Sequence, residues 1–439
     1  MSNTKQIGLW TTTSLVVGNM IASGLFMLPA TLAVYGGISL IGWLISGGGA
    51  ICLALVYSWL SKLKPVATGG PYAYTHEGMG DFPAFLVAWG YWISIWCANA
   101  AIAVAFVSYL TAFIPALGNN PLLSVGTGLA AIWLLTWINT RGIKEAGIVQ
   151  VVTTVLKIAP LVVITLGGLL YLNTDHFVPF NVSTESNLTA ITSCTTLTLF
   201  AFLGLECATI PSGKVINPEV TVPKATVLGT LLTTVIYVSS TIAIMGLIPP
   251  DALHKSQAPF ADAAASTPFA DAAASIWGDW ARYLVAGGAV ISTFGALNGW
   301  IIMQGQLPFA AARDKLFPRV FAHENKNGVP SIGIVVSSIL VSVLMSMNFS
   351  RSLADTYTFI ILLSTLTTLV PYLFSIIAFV MMGARKNNLN GTKYTVATLA
   401  FIYSMWAVMG SGQETVYWGF VLLMAGLPFY AFIRIKRQL

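Results

Sequence analysis

Two ionisable side chains, Glu206 and Lys157, fall inside apolar runs long enough to cross a bilayer. A charge at mid-bilayer costs about 2.5–3.5 kcal/mol on insertion scales, so such a residue points to function unless the two neutralise each other or bond unwound backbone. Glu206 lies in Phe200-Ala201-Phe202-Leu203-Gly204-Leu205-Glu206-Cys207-Ala208. A partly desolvated carboxylate there can take and release a proton as a site opens. Lys157 is a second proton-coupling candidate, because buried lysines titrate readily. The four histidines, His76, His176, His254 and His323, fall in loops, which argues against a histidine relay. No Ser/His/Asp set, P-loop or metal motif is present, so neither an enzyme nor a cofactor is expected. The four cysteines lie in apolar runs without metal-ligand spacing and read as packing residues; Cys207, beside Glu206, is the one that could do more.

The remaining chemistry is that of the backbone. Gly18-Asn19-Met20-Ile21-Ala22-Ser23-Gly24-Leu25-Phe26 interrupts the first apolar run with small and polar residues, as 200–208 interrupts the sixth. A glycine weakens a helix by about 1 kcal/mol relative to alanine. Backbone unwound at that depth is tolerated only if it is buried in protein or lines a cavity. Paired Gly-interrupted spans in corresponding halves of a chain are the best sequence pointer to a transporter's substrate site.

Composition sets the frame that must position these breaks. Charged residues make up 8% of the chain and hydrophobic ones 56%, against about 25% charged in a soluble domain. The 439 residues hold about twelve spans of roughly 20 residues each. The spans are expected near 7–34, 38–61, 82–115, 122–139, 146–173, 188–211, 222–248, 280–311, 331–349, 356–384, 393–411 and 415–435. The first run starts near Ile7 and continues past signal length, so no cleaved leader is expected. Of 21 Lys and Arg, 17 fall on one side when the spans alternate from a cytoplasmic N-terminus. That asymmetry places both termini in the cytoplasm of a multi-pass protein of the cell inner membrane. The charge of +6 therefore reports topology and not a nucleic-acid partner. The basic tail, Arg434, Lys436 and Arg437, is likewise read as topological before it is read as a lipid site, although lipid surrounds the whole chain.

The breaks lie five spans apart, which suggests two repeats of opposite topology, about 7–173 and 188–384. These form a transporter core over 1–384, with two additional transmembrane helices in 385–439. The external loop near 249–279 holds a tandem duplication: residues 259–266 recur as 268–275, and the Ala-rich copies read as short external helix.

The sequence resembles the amino acid–polyamine–organocation superfamily, within it the basic amino acid/polyamine antiporters. The motifs that carry the likeness run through most of the chain. They include Gly18-Asn19, Ala22-Ser23-Gly24-Leu25-Phe26, Gly69-Gly70-Pro71-Tyr72-Ala73-Tyr74, Tyr91-Trp92 with Asn99, and Phe202-Leu203-Gly204-Leu205-Glu206. Asn217-Pro218, Gly299-Trp300, Leu316-Phe317-Pro318 and Leu369-Val370-Pro371-Tyr372 continue it.

The resemblance implies an all-α polytopic membrane protein with a LeuT-like 5+5 inverted repeat, broken helices 1 and 6, and often a homodimer. It implies that amides of Ser23 and Gly24 hold a substrate carboxylate, and that carbonyls of Met20, Phe200 and Leu203 take the α-ammonium, with Asn19 and Ala22 in the same break. Ser94, Ile95, Asn99, Ile102, Trp300 and Ser364 would form the side-chain pocket. Tyr72, Tyr91, Phe200, Glu206 and Tyr372 would gate it. Three features depart from the group's pattern. Ala22 stands where glycine is usual, Phe200 where a member carries tryptophan, and Lys157 where sodium-independent exchangers and proton-coupled permeases carry lysine. The expected function is sodium-independent exchange of a cationic amino acid, such as arginine or ornithine, for its amine or another amino acid. Proton-coupled symport of neutral or broad-range amino acids is the alternative.

Overall fold

The computed structural model describes residues 8–65, 69–141, 162, 164–209, 215–265, 280–347 and 351–438. Among them every regular element of any length is helical. Lipid offers backbone groups no partner, so a spanning segment must satisfy its own, and helices do so within one strand of chain. Threonines buried in the spans follow the same rule: Thr233, Thr293 and Thr367 each return a hydroxyl to the carbonyl four residues earlier.

In chain order the helices are α1 (Leu9–Met20), α2 (Gly24–Ala33), α3 (Ser39–Leu63), α4 (Pro71–Met79), α5 (Asp81–Leu110), α6 (Ala116–Asn119) and α7 (Pro121–Thr140). Then come α8 (Asn187–Leu199), α9 (Pro218–Leu247), α10 (Pro250–Lys255), α11 (Pro259–Ala265), α12 (Trp280–Arg313) and α13 (Ser331–Met347). Last are α14 (Leu353–Arg385), α15 (Gly391–Met409), α16 (Gln413–Met424) and α17 (Gly426–Gln438). Among the described residues, nine helical stretches are long and apolar enough to cross a membrane. The chain is an all-α polytopic membrane protein. The shorter α13 and α15 occupy two more of the expected spans. Most of the expected fifth span, Lys157 included, lies outside the described residues, as does the second copy of the loop duplication. The first copy is α11, a short helix as the sequence suggested.

Two boundaries differ from expectation. The third span stops at Leu110 and not near 115, because Pro115 begins a separate turn of helix at α6. The last span, 415–435, is two helices joined at Ala425. Pro428 lies in the first turn of α17, where its missing N–H costs nothing, so the chain restarts there.

The centre of the bundle is α5, apolar all round and packed against α12 and α14, as a helix with no polar face must be. Its run of Ala98, Ala100, Ala101, Ala103 and Ala105 is buried throughout, and such small side chains let neighbouring helices approach closely. On the opposite side α3 packs on α8 and α9, and α1 packs on α9. The outermost pair, α16 and α17, keeps Phe420, Phe429, Phe432 and Ile435 exposed, an apolar face suited to lipid.

Both expected breaks are real, and glycine does a different job in each. The first falls at Ile21–Ser23, between α1 and α2, with no residue at positive φ. In the second, a 3-10 turn at Phe200–Phe202 ends in extended backbone at Leu203, and Gly204 follows at φ +102° before another turn at Cys207–Thr209. Only glycine adopts that φ without strain. Gly24 serves close approach, because a Cβ there would lie 3.0 Å from Ala201 Cβ. The first half of each broken span lies beside the second half of the other: α1 packs against Cys207–Thr209, and α2 against α8.

Helix contacts elsewhere are as tight. A Cβ at Gly42 would sit 2.5 Å from Cys194 Cβ and 2.9 Å from its carbonyl carbon, which wedges α3 away from α8. Gly42→Ala should destabilise the protein by about 1–3 kcal/mol, the usual range for overpacking. Thermal unfolding in detergent should show a lower midpoint; an unchanged midpoint would mean that this contact is looser than described.

Candidate functional site

The two breaks meet face to face. Besides the contact of Gly24 with Ala201, Gly204 lies against Asn19 and Trp300; a Cβ there would sit 3.3 Å from Asn19 Cβ and 3.5 Å from Trp300 Cζ2. A side chain that the sequence reading missed joins them. Tyr237, fully buried on α9, sets its hydroxyl 2.6 Å from the Met20 carbonyl and 2.9 Å from the Ala201 carbonyl. These are two of the carbonyls that the breaks release. A tyrosine in the middle of an apolar span was the available signal, but with 12% aromatic residues in the chain it did not stand out.

At the start of α2 the first-turn amides have no carbonyl behind them, as at any helix N-terminus. The peptide dipoles add a partial positive charge there. The amides of Ser23 and Gly24 lie at that end, in a protein interior where Ser23 is 0% exposed. Of the carbonyls expected to face them, Met20 already accepts from Tyr237 and from the Ala22 amide, and Phe200 accepts from the Leu203 amide. The extended backbone at Leu203 turns its carbonyl out of the helical ladder.

A small cavity lies between the breaks, with about 10 Å³ open to the centre of a water-sized sphere, roughly room for one water. Asn19, Met20, Ala22, Gly24, Ile102, Phe200, Leu203 and Trp300 line it, all among the expected site residues, together with Ala98, which the sequence reading passed over. Ser23, Ser94, Ile95, Asn99 and Ser364 do not line it. Ser23 Oγ accepts from Tyr357. Ser94 donates to the Tyr91 carbonyl within α5, and Ser364 donates to the Ser94 carbonyl, which ties α14 to α5. Ile95 is buried in the core.

Asn99 is engaged elsewhere: its Nδ2 donates to Gln304 Oε1 at 2.6 Å. Its Oδ1, like Trp300 Nε1, is buried without a hydrogen-bond partner. A buried polar atom in that condition costs about 1–3 kcal/mol. The unsatisfied donor belongs to a residue that lines the cavity, and the unsatisfied acceptor to the residue that follows its lining residue Ala98 on α5.

The expected gating residues form separate clusters. Phe200 packs edge-on against Tyr357, ring centres 6.2 Å apart, and so closes the cavity towards α14. Below the second break, Tyr91 donates to Glu206 Oε1 at 2.5 Å and Tyr372 to Oε2 at 2.9 Å. The Tyr57 ring backs Tyr372 edge-on. Each carboxylate oxygen thus has a phenol donor, one from α5 and one from α14, with Glu206 0% exposed. Tyr72 is not in this cluster; it donates to Asp314 at 2.9 Å, just past the end of α12. Burial, with Asp314 beside it, pushes the Tyr72 phenol well above its ordinary range, which keeps it a donor. Towards the other end of α5, Tyr109 donates to the Phe26 carbonyl and accepts from the Phe260 amide, so α11 is seated on α2. Lys157 falls outside the described residues. Among those residues no three His, Cys, Asp or Glu side chains gather as metal ligands do.

Comparison with known proteins gives one consistent result. The family model described as amino acid permease matches residues 7–432. Curated relatives include a cadaverine/lysine antiporter of Escherichia coli (strain K12), 32% identical with 100% of this chain and 97% of that protein covered. An arginine/ornithine antiporter of Pseudomonas aeruginosa is 31% identical, covering 98% and 91%. An arginine/agmatine antiporter of Chlamydia pneumoniae is 28% identical, covering 98% and 90%. A family match across nearly the whole length, on a fold with two facing broken helices, makes this multi-pass membrane protein a member of the amino acid permease family.

Proposed function

We propose that the chain is a sodium-independent antiporter that exchanges a cationic amino acid for its amine or for another amino acid across the cell inner membrane. One observation carries the reading. Amides at the start of α2 face carbonyl-bearing backbone of the second break across a small cavity edged by Trp300. That arrangement suits a zwitterionic backbone. The carboxylate sits on the amides of Ser23 and Gly24, and the α-ammonium takes the Leu203 carbonyl. The substrate side chain runs along Ile102 towards Trp300 and Asn99. A cation stacked on a desolvated tryptophan gains about 2 kcal/mol. The cationic class follows the substrates in the relatives' names.

A cavity with room for about one water cannot hold lysine, so the wall formed by Ala98 and Ile102 of α5 and Trp300 of α12 must part from the breaks as substrate enters. We read residues 1–384 as the moving core, built of repeats 7–173 and 188–384. The segment 385–439 then adds two peripheral spans, α15 and the jointed pair α16 and α17, suited to a homodimer contact. The basic loops support a cytoplasmic position for both termini. Glu206 is the inner latch: opening that side separates Tyr91 or Tyr372 from it. A carboxylate that loses a donor in a dry site takes up a proton more readily, which ties the opening step to pH. Lys157 remains a second candidate for that coupling.

Proteoliposomes loaded with lysine, ornithine, arginine, cadaverine or agmatine test the main reading. Labelled uptake should require internal substrate and persist without sodium. Uptake into empty vesicles driven by a pH gradient alone would establish symport instead. Glu206→Gln should slow exchange and flatten its dependence on pH; an unaltered pH profile rules out the proton role. Tyr237→Phe should leave the protein folded yet lower the exchange rate about tenfold, the worth of one buried hydrogen bond. Wild-type exchange in that variant would show that the bridge between the breaks is dispensable.

A further inference from the structure

The amide chain between α13 and α5 can have only one polarity. Gln304 Nε2 lies 3.0 Å from the Ile334 carbonyl and 2.8 Å from Ser338 Oγ. A backbone carbonyl only accepts, so the nitrogen of Gln304 must face it and the oxygen must face away. That oxygen meets Asn99 2.6 Å away. Two carbonyl oxygens at that distance would repel, so Asn99 has to present its amino group to Gln304. Its own Oδ1 is thereby turned away from the pair, buried and without a partner. The far end of the chain is held firmly. Ser338 donates to the Ile334 carbonyl and pairs with Thr136 on α7, and Ser337 bonds the Gln304 carbonyl. Gln304 and Asn99 are both 0% exposed. Asn99 follows Ala98 and stands one turn before Ile102, both of which line the cavity.

We propose that Gln304 is a positioning residue that fixes Asn99 as a pure hydrogen-bond acceptor beside the substrate cavity. The site thereby selects side chains that end in a donor-only cation, an ammonium or a guanidinium. The inference rests on the amino-acid exchange reading above and adds to it how charge is recognised without a carboxylate. Ammonium and guanidinium groups donate and never accept, so they satisfy Asn99 Oδ1 where a methyl end leaves it orphaned. A neutral amide or hydroxyl gains less, because an asparagine held in one orientation cannot turn to suit it. A neutral acceptor also forms no ion pair that release would have to break, which suits a carrier that must unload its substrate on both sides.

The test uses purified full-length protein and equilibrium binding of two pairs of near-isosteres, lysine with norleucine and arginine with citrulline. Gln304→Met removes the lock and leaves the Ile334 carbonyl bonded to Ser338; Asn99 Nδ2 loses its acceptor, so the amide is no longer held in one orientation. The ratio of cationic to neutral affinity should fall about tenfold, the worth of one hydrogen bond to a charged group, while norleucine affinity holds. Ser338→Ala takes away one of the two acceptors that orient Gln304 and should lower the same ratio by less; it carries the test if Gln304→Met does not fold. Should both affinities fall together at a constant ratio, Gln304 merely packs and the proposal is overturned. A wild-type protein that prefers neither cation over its neutral partner would remove the exchange reading and this proposal with it. A wild-type preference that survives in both variants removes only the role of Gln304.

Discussion

Backbone polar groups inside a bilayer must be answered by protein, and the structure is built around a place where two helices leave them unanswered. Among the described residues, two buried spans come undone midway, at Ile21–Ser23 and Leu203–Glu206. Lipid cannot serve those groups, so the two breaks are driven together and wrapped. α5, α9, α12 and α14 supply the wrapping, and Tyr237 supplies the hydrogen bond between them. Removing the breaks would leave a bundle of apolar helices with nothing to recognise.

The same constraint explains why tyrosines, rather than ion pairs, join the helices around the breaks. Tyr91 and Tyr372 reach Glu206, Tyr237 reaches two carbonyls, Tyr109 reaches α2 and α11, Tyr357 reaches Ser23, and Tyr72 reaches Asp314. A phenol carries one strong donor on an apolar ring. It can cross a dry interface, make one bond and leave it at modest cost. An ion pair in the same place would need far more desolvation. The ion pairs among the described residues, such as Lys64 with Glu77 and Arg351 with Glu414, are all partly exposed.

Glycine and asparagine show why residue type underdetermines role. Gly24 and Gly204 both read as weak points in a helix, yet one allows contact with Ala201 and the other allows a left-handed φ. Asn99 reads as a pocket residue by resemblance, but its amide is spent on Gln304, and only its oxygen is left for anything else.

The class, the approximate limits of most described spans, the position of both breaks and the family were legible in the residues alone. All of these follow from local signals: hydropathy over about 20 residues, glycines and a carboxylate within an apolar run, and short motifs in order. Glu206 stood out as well, because a charge in lipid needs a reason. Partnership, by contrast, came only with the packed fold. That Tyr237 serves Met20 and Ala201, that Ala98 and not Asn99 lines the closed cavity, and that Gln304 sets the polarity of Asn99 depend on residues 36 to 217 positions apart. Uncharged side chains in an apolar helix leave no periodic trace of what they bond to, since packing rather than local propensity brings them within hydrogen-bond range.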